Sequence, residues 1–216
     1  MNAKILHNID VSYLDFQLLK NNKLDIKPYS FYDSIEHEHL VLWCHKHGIY
    51  CLPTVELIDW LKPHVVKDKT IEIGAGNGAL GRALDIPITD SCYMKTNKEV
   101  ALFYSLLGQP VTDYPDDIIE MNAVEAVNEF KPDVVIGSWI THKYNENEHW
   151  REGNMYGVDE NFILDNVKKY IMIGNETVHK HKPIFDFEHK SFKVPWLVSR
   201  SSHIDSNVIY VWENNA

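Results

Sequence analysis

Cysteine is scarce in this chain. Cys44, Cys51 and Cys92 are the only three. The number is odd and no Cys-x-x-Cys spacing occurs, so neither a zinc framework nor a disulfide scaffold is expected. A reducing, cytoplasmic setting fits best. Long apolar runs are missing as well: nothing approaches the roughly 18 consecutive apolar residues of a membrane span, and no membrane partner is expected. The stretch Met1–Asp10 is polar and lacks the apolar core of a signal peptide. Dense basic clusters are also absent. With 31 acidic against 21 basic residues, the formal charge is -10. That balance disfavours a role centred on the phosphate backbone, so nucleic acid is not an expected partner. No internal repeat or low-complexity tract is present. Histidine is plentiful, with 12 residues, but the pairs His37/His39 and His45/His47 stand two apart and cannot share a helix face. No metal is expected.

What remains is ordinary globular material: 216 residues, 44% hydrophobic and 24% charged. That suffices for one domain, or one domain with a small cap. Residues 1–67 read as a mostly helical N-terminal cap. Tyr13–Leu19 is a short apolar-periodic stretch. Ser34–His47 reads as a helix with Ser34 as N-cap and Gly48 as stop, and Thr54–His64 as another capped by Thr54. From residue 68 to 216 strands and helices alternate. Strands are expected at 70–73, 86–89, 118–121, 133–136 and 170–173. Helices are expected at 79–84, 97–107, 123–130 and 159–167. The run Asp133-Val-Val-Ile136 suits a sheet covered on both faces. Two last strands, Trp196–Ser199 and Val208–Trp212, are separated by a short polar connection and read as an antiparallel pair. The expected fold is α/β: a mostly parallel sheet with helices on both faces and a C-terminal antiparallel hairpin.

The most informative segment is Glu72-Ile73-Gly74-Ala75-Gly76-Asn77-Gly78, which leaves a strand and opens a helix. Glycines there allow positive φ and close approach of a ligand to backbone. The helix start favours an anionic group. Gly74-x-Gly76-x-x-Ala79 and Gly76-x-Gly78-x-x-Gly81 both satisfy the dinucleotide fingerprint. Against that reading stand Glu72, where such a strand usually carries an apolar residue, and the small remainder of chain left to form a substrate domain.

Glu-x-Gly-x-Gly-x-Gly after the first strand resembles motif I of the class I S-adenosylmethionine-dependent methyltransferases, and residues from about 54 to 216 can be laid on that fold. The resemblance implies a seven-stranded Rossmann-like sheet, S-adenosylmethionine as cofactor, and Gly74, Ala75, Gly76, Asn77 and Gly78 around its methionine part, with Glu72 organising the loop. Asp90 matches the acidic residue that binds the ribose hydroxyls in this superfamily, with Asp85 a weaker match. Asn122-Ala123 occupies the place of an Asp and small residue beside adenine. Asn122 reads equally as a helix N-cap.

Ligands of open α/β sheets sit outside the carboxyl ends of the strands. Here these are Gly137-Ser138-Trp139-Ile-Thr-His142-Lys-Tyr144 and Ile173-Gly-Asn175-Glu176-Thr-Val-His179. Ser138 and Trp139 are cofactor-side candidates. His142 is the first candidate for a base, since imidazole titrates near neutrality, and Tyr144 for an aromatic wall near the sulfonium. The Asp/Asn-Pro-Pro-Tyr/Phe motif of nucleic-acid amino methyltransferases is replaced by Ser138-Trp-Ile-Thr141. The loop 145–157 reads as a lid or as packing against the cap. Gly48–Thr54, with Tyr50, is expected to cover the cofactor. Three functions compete: methyl transfer to a small-molecule or protein acceptor, a non-catalytic binder of the same cofactor or a related nucleoside, and an NAD-dependent oxidoreductase.

Overall fold

The structure, a computed structural model, describes residues 9–106 and 108–214. Residues 1–8 and the expected helix end at Leu107 lie outside them. The chain is an α/β protein. Its main sheet contains β1 (Thr70–Ile73), β4 (Val134–Ser138), β5 (Lys169–Asn175), β6 (Lys190–Phe192) and β7 (Asn207–Glu213), with β2 (Thr89–Asp90) and β3 (Ile119–Glu120) forming a separate pair. The longer helices are α1 (His37–Lys46), α2 (Val55–Leu61), α3 (Ala79–Leu84), α4 (Lys98–Leu106), α5 (Ala123–Phe130) and α6 (Glu160–Asn166).

The five-stranded sheet runs β1-β4-β5-β7-β6. β1, β4 and β5 are parallel, whereas β7 enters antiparallel between β5 and β6. The expectation of seven strands in one sheet is therefore met only in part. β2 and β3 pair in parallel with each other and touch β1 through one isolated bridge, Glu72↔Ile88. Pro87 explains the gap. Its carbonyl accepts the Glu72 N–H at 2.9 Å, but proline has no N–H to return.

Residue alternation puts helices on both faces. Val134, Ile136, Ile171, Ile173, Ile209 and Val211 face α2 and α3, through Leu57, Ile58, Leu61, Leu80 and Leu84. The intervening Val135, Tyr170, Met172, Val208, Tyr210 and Trp212 join Ile71 and Ile73 against α5 and α6. Each of these side chains, fully buried, contributes roughly 1.5–3 kcal/mol, so the period-two pattern fixes the register. Thr54 caps α2 by accepting from Leu57 N at 3.0 Å, and Asn122 opens α5 in a capping box with Glu125. A third cluster, with Leu14, Leu18, Trp43, Cys44 and Leu52 at its centre, holds the N-terminal segment. α2 packs on the sheet rather than in that cluster, although the sequence groups it with the cap.

Two local expectations are corrected. The helix read over 34–47 starts later, as α1 at His37, and Ser34 instead ends a separate helix, Tyr29–Asp33. Ser34 Oγ donates back to Phe31 O at 2.6 Å, so it closes one helix instead of capping the next. The strand that pairs with the last one is Lys190–Phe192, not 196–199. Pro195 interrupts the chain between them, and the Asn207 side chain donates to Leu197 O at 3.1 Å, holding that segment off the sheet. Val198–Ser199 pairs instead with Cys51–Leu52, antiparallel, across the chain.

Candidate functional site

Chain order reverses beside β1: β2 and β3 lie on one side of it and β4 on the other. A cleft of about 220 Å³ opens at the carboxyl ends of these strands. Its floor is the glycine loop. Gly74, Gly76 and Gly78 have φ of 55°, 56° and 69°, the left-handed region that L-residues enter at a cost. Gly76 shows the demand most plainly. Among the described residues, a Cβ there would meet only Thr112 Cγ2 within 4 Å, at 3.6 Å, so conformation and not space requires glycine. Gly78 differs: a Cβ there would come within 2.7 Å of Ile118 Cδ1. It serves packing of the turn and does not line the cleft.

Two carboxylates brace this loop. Asp90, at the end of β2, accepts the Gly76 N–H at 2.9 Å and the Cys92 N–H at 2.8 Å. Burial raises its pKa, opposed by those two backbone donors. Glu72 points from β1 to α3 and accepts the Gly81 N–H at 2.8 Å. Burial pushes its carboxyl up to about 8, with the Gly81 N–H and the Arg82 charge offsetting only part of the desolvation. Glu72 therefore organises the helix behind the loop more than the loop itself. Asn77 Oδ1 completes the turn by accepting from Ala79 N at 2.9 Å.

Of the residues singled out from sequence, Glu72, Gly74, Ala75, Gly76, Asn77, Asp90, Ser138 and Trp139 all line the cleft. Tyr50 lines it too, as expected of the segment covering the cofactor. Asn122 and Ala123 do not; the Asn122 side chain is occupied with the Glu125 N–H at 3.0 Å. Asp85 sits exposed at the end of α3. Neither catalytic candidate reaches the cleft wall. His142 Nε2 bonds Arg151 O at 3.0 Å, and its pKa is lowered by burial and then by the Lys182 charge. Tyr144, 37% exposed, bonds His149. His179 packs against the wall from behind, edge-on to Trp139 with ring centroids 5.3 Å apart. Burial first, and Lys182 second, lower its pKa to about 4.

Much of the remaining wall is aromatic, and of its tyrosines Tyr93, Tyr104 and Tyr114 were not singled out from the sequence. Tyr93, Tyr104, Tyr114 and Tyr156 join Tyr50 and Trp139. Tyr93 opens the short helix Tyr93–Thr96, Tyr104 stands in α4, and Tyr114 and Tyr156 lie in loops, with no motif to connect them. The 145–157 loop folds over the cleft: Tyr156 lies edge-on to Tyr93 at 5.9 Å and donates to Glu99 at 2.7 Å.

No protein-family model matches the chain, and no curated protein matches it. Among solved structures it is similar to a crystal structure of Thermoplasma acidophilum 1320, at 14% identity over 83% of this chain and 90% of that one, with a TM-score of 0.35. That likeness is too loose to bear on function.

Proposed function

We propose that the cleft binds S-adenosylmethionine and that the protein transfers its methyl group to a small molecule or a protein side chain. One observation carries the reading: a left-handed glycine loop tied to Asp90 lies at the point where strand order reverses. Ligands of open α/β sheets collect at such points. The five-stranded order β1-β4-β5-β7-β6, with β7 antiparallel and the separate β2-β3 pair beside β1, is compatible with the Rossmann-like arrangement the sequence resembles. A tyrosine-lined cavity suits both a purine face and a sulfonium cation. Methyl transfer from a sulfonium is an in-line displacement: the acceptor's lone pair forms the new bond as the carbon–sulfur pair returns to sulfur. It depends chiefly on alignment. A base is needed only for an acceptor that must lose a proton.

The second reading is a binder of the same cofactor without chemistry. That neither His142 nor Tyr144 lines the cleft favours it. The test is calorimetric titration with S-adenosylmethionine, S-adenosylhomocysteine and NAD, on wild type and Gly76→Arg. Binding of both adenosyl ligands, lost in the variant, is expected. Binding of NAD alone, or of nothing, overturns the proposal. Mass-spectrometric detection of methylated product then separates transferase from binder.

A further inference from the structure

The glycine loop accounts for one side of the cleft. The opposite side carries an unmatched set of donors. Trp139 follows β4 directly with a left-handed φ of 56°, and its backbone N–H is spent on Ile173 O at 2.8 Å. Its indole Nε1 is buried and has no partner. Arg200 Nη1 is the other buried side-chain nitrogen or oxygen, among the described residues, without one. Both are N–H donors. Tyr50 connects them: its ring lies 6.1 Å from the Trp139 ring, and the Arg200 Cζ stands 3.6 Å over its face. Backbone pairing fixes this register, since Arg200 N donates to Tyr50 O at 3.1 Å beyond the Cys51–Leu52 ribbon. The other terminal nitrogen, Nη2, is held by Gln109 Oε1 at 2.8 Å. Gln109 is neutral, and no carboxylate among the described residues forms an ion pair with Arg200. Leaving two buried donors unpaired is costly, and the half-buried guanidinium faces no carboxylate among the described residues.

We propose that Arg200 and the Trp139 indole form a carboxylate-binding subsite on the acceptor side of the cleft, with Tyr50 as its movable wall. A carboxylate fits for three reasons. It only accepts hydrogen bonds, it neutralises the guanidinium, and its two oxygens allow one to meet Nη1 while the other meets the indole N–H. Trp139 and Tyr50 line the cleft and Arg200 does not. The carboxylate therefore enters as Tyr50 turns away from the guanidinium, and the aromatic rings then flank a planar or apolar body. The inference rests on the proposed cofactor cleft for its setting. The carboxylate has two possible sources: the amino-acid tail of the cofactor, or the methyl acceptor.

The experiment follows the Trp139 indole N–H cross-peak by nitrogen–proton NMR, assigned with Trp139→Phe. Wild type, Arg200→Met and Arg200→Lys are titrated with S-adenosylhomocysteine, with 5′-deoxy-5′-methylthioadenosine, which lacks the amino-acid tail, and with benzoate. Calorimetry is run alongside. If the tail is the source, S-adenosylhomocysteine moves the indole signal and binds Arg200→Met about tenfold to a hundredfold more weakly, while the tail-less nucleoside is unaffected. If the acceptor is the source, both nucleosides bind all three proteins alike. Benzoate then moves the signal in wild type and Arg200→Lys but not in Arg200→Met. A Trp139 signal that responds to no carboxylate in folded wild type overturns the subsite. The benzoate arm needs no nucleoside, so failure of the cofactor reading is seen separately, as loss of nucleoside binding with a benzoate response intact. Arg200→Lys retains a cation and guards against a Met variant that fails to fold.

Discussion

Asp90 holds Gly76 across the gap between two strand ends, its Oδ2 accepting the glycine N–H at 2.9 Å while Oδ1 takes the Cys92 N–H at 2.8 Å. One carboxylate thus fixes both the loop leaving β1 and the exit of β2, and keeps lone pairs for a ligand hydroxyl. Asp90→Ala is expected to lower stability by about 1–3 kcal/mol, the cost of buried donors left unpaired, and to abolish S-adenosylhomocysteine binding. Asp90→Asn, which keeps an acceptor, recovers most of the stability. Urea unfolding and calorimetry measure the two effects. An alanine variant as stable as wild type would show that the two hydrogen bonds brace nothing.

Glu72 is expected to make stability fall as pH rises. Its carboxyl is lifted from 4.5 to about 8 by burial. Between those values the native state holds a proton that the unfolded state has released. Stability is therefore greatest below pH 4.5 for this group and declines toward pH 8, by at most about 1.4 kcal/mol per pH unit. Asp90, also raised, adds to the decline at the acid end. Glu72→Gln keeps an acceptor for Gly81 and should flatten the slope. Denaturant midpoints from pH 4.5 to 8 test this, and an unchanged slope in the variant would exclude Glu72 as its source.

At Gly76, alanine and arginine separate strain from obstruction. A Cβ has room, 3.6 Å from Thr112 Cγ2, but φ is 56°. Gly76→Ala should cost about 1–2 kcal/mol of stability with part of the ligand affinity retained. Gly76→Arg should lose all of it. Equal loss in both variants, with equal melting temperatures, would mean that the loop conformation itself is the binding determinant.

Below the cleft, Lys182 and Glu160 form a buried ion pair, and Tyr170 donates to the same carboxylate at 2.9 Å. Lys182→Met alone leaves a charge buried and should destabilise by about 3–5 kcal/mol. The double variant with Glu160→Gln keeps an acceptor for Tyr170 and should melt much closer to wild type. Thermal unfolding of the set gives the coupling, and additive losses would exclude it.

His142 faces Arg151 O at 3.0 Å and not the cleft. His142→Ala should leave adenosyl-ligand affinity unchanged and speed hydrogen exchange in residues 149–158. A methyl-transfer rate lost with binding intact would instead show that the ring swings toward substrate.

The sequence carried the site's floor because its chemistry is local. A strand, alternate glycines and a following helix are consecutive between Thr70 and Leu84, and Asp90 comes one strand later. Capping at Thr54 was legible for the same reason: donor and acceptor are three residues apart. The walls were legible only in part: Tyr50 and the loop holding Tyr156 could be placed near the cleft, but Tyr93, Tyr104 and Tyr114 reach it only through tertiary folding. The misplaced terminal strand shows a related effect: 196–199 has the composition of a strand, but Pro195 and the Asn207 side chain direct it to a partner nearly 150 residues away. Asn122 fitted two roles from sequence, and its capping box with Glu125 shows which one its side chain performs.

The ribbon joining Cys51–Leu52 to Val198–Ser199 also sets an order of assembly. The glycine loop and Asp90 are complete once β1 and β2 lie side by side, and these are neighbours in sequence. The wall at Tyr50 is held by Arg200, whose backbone pairs with it only after most of the chain has been synthesised. Contacts so distant in sequence close late. A nascent chain released from the ribosome short of this ribbon would therefore carry the loop without its opposing wall, so ligand capture becomes a property of the finished fold rather than of the motif.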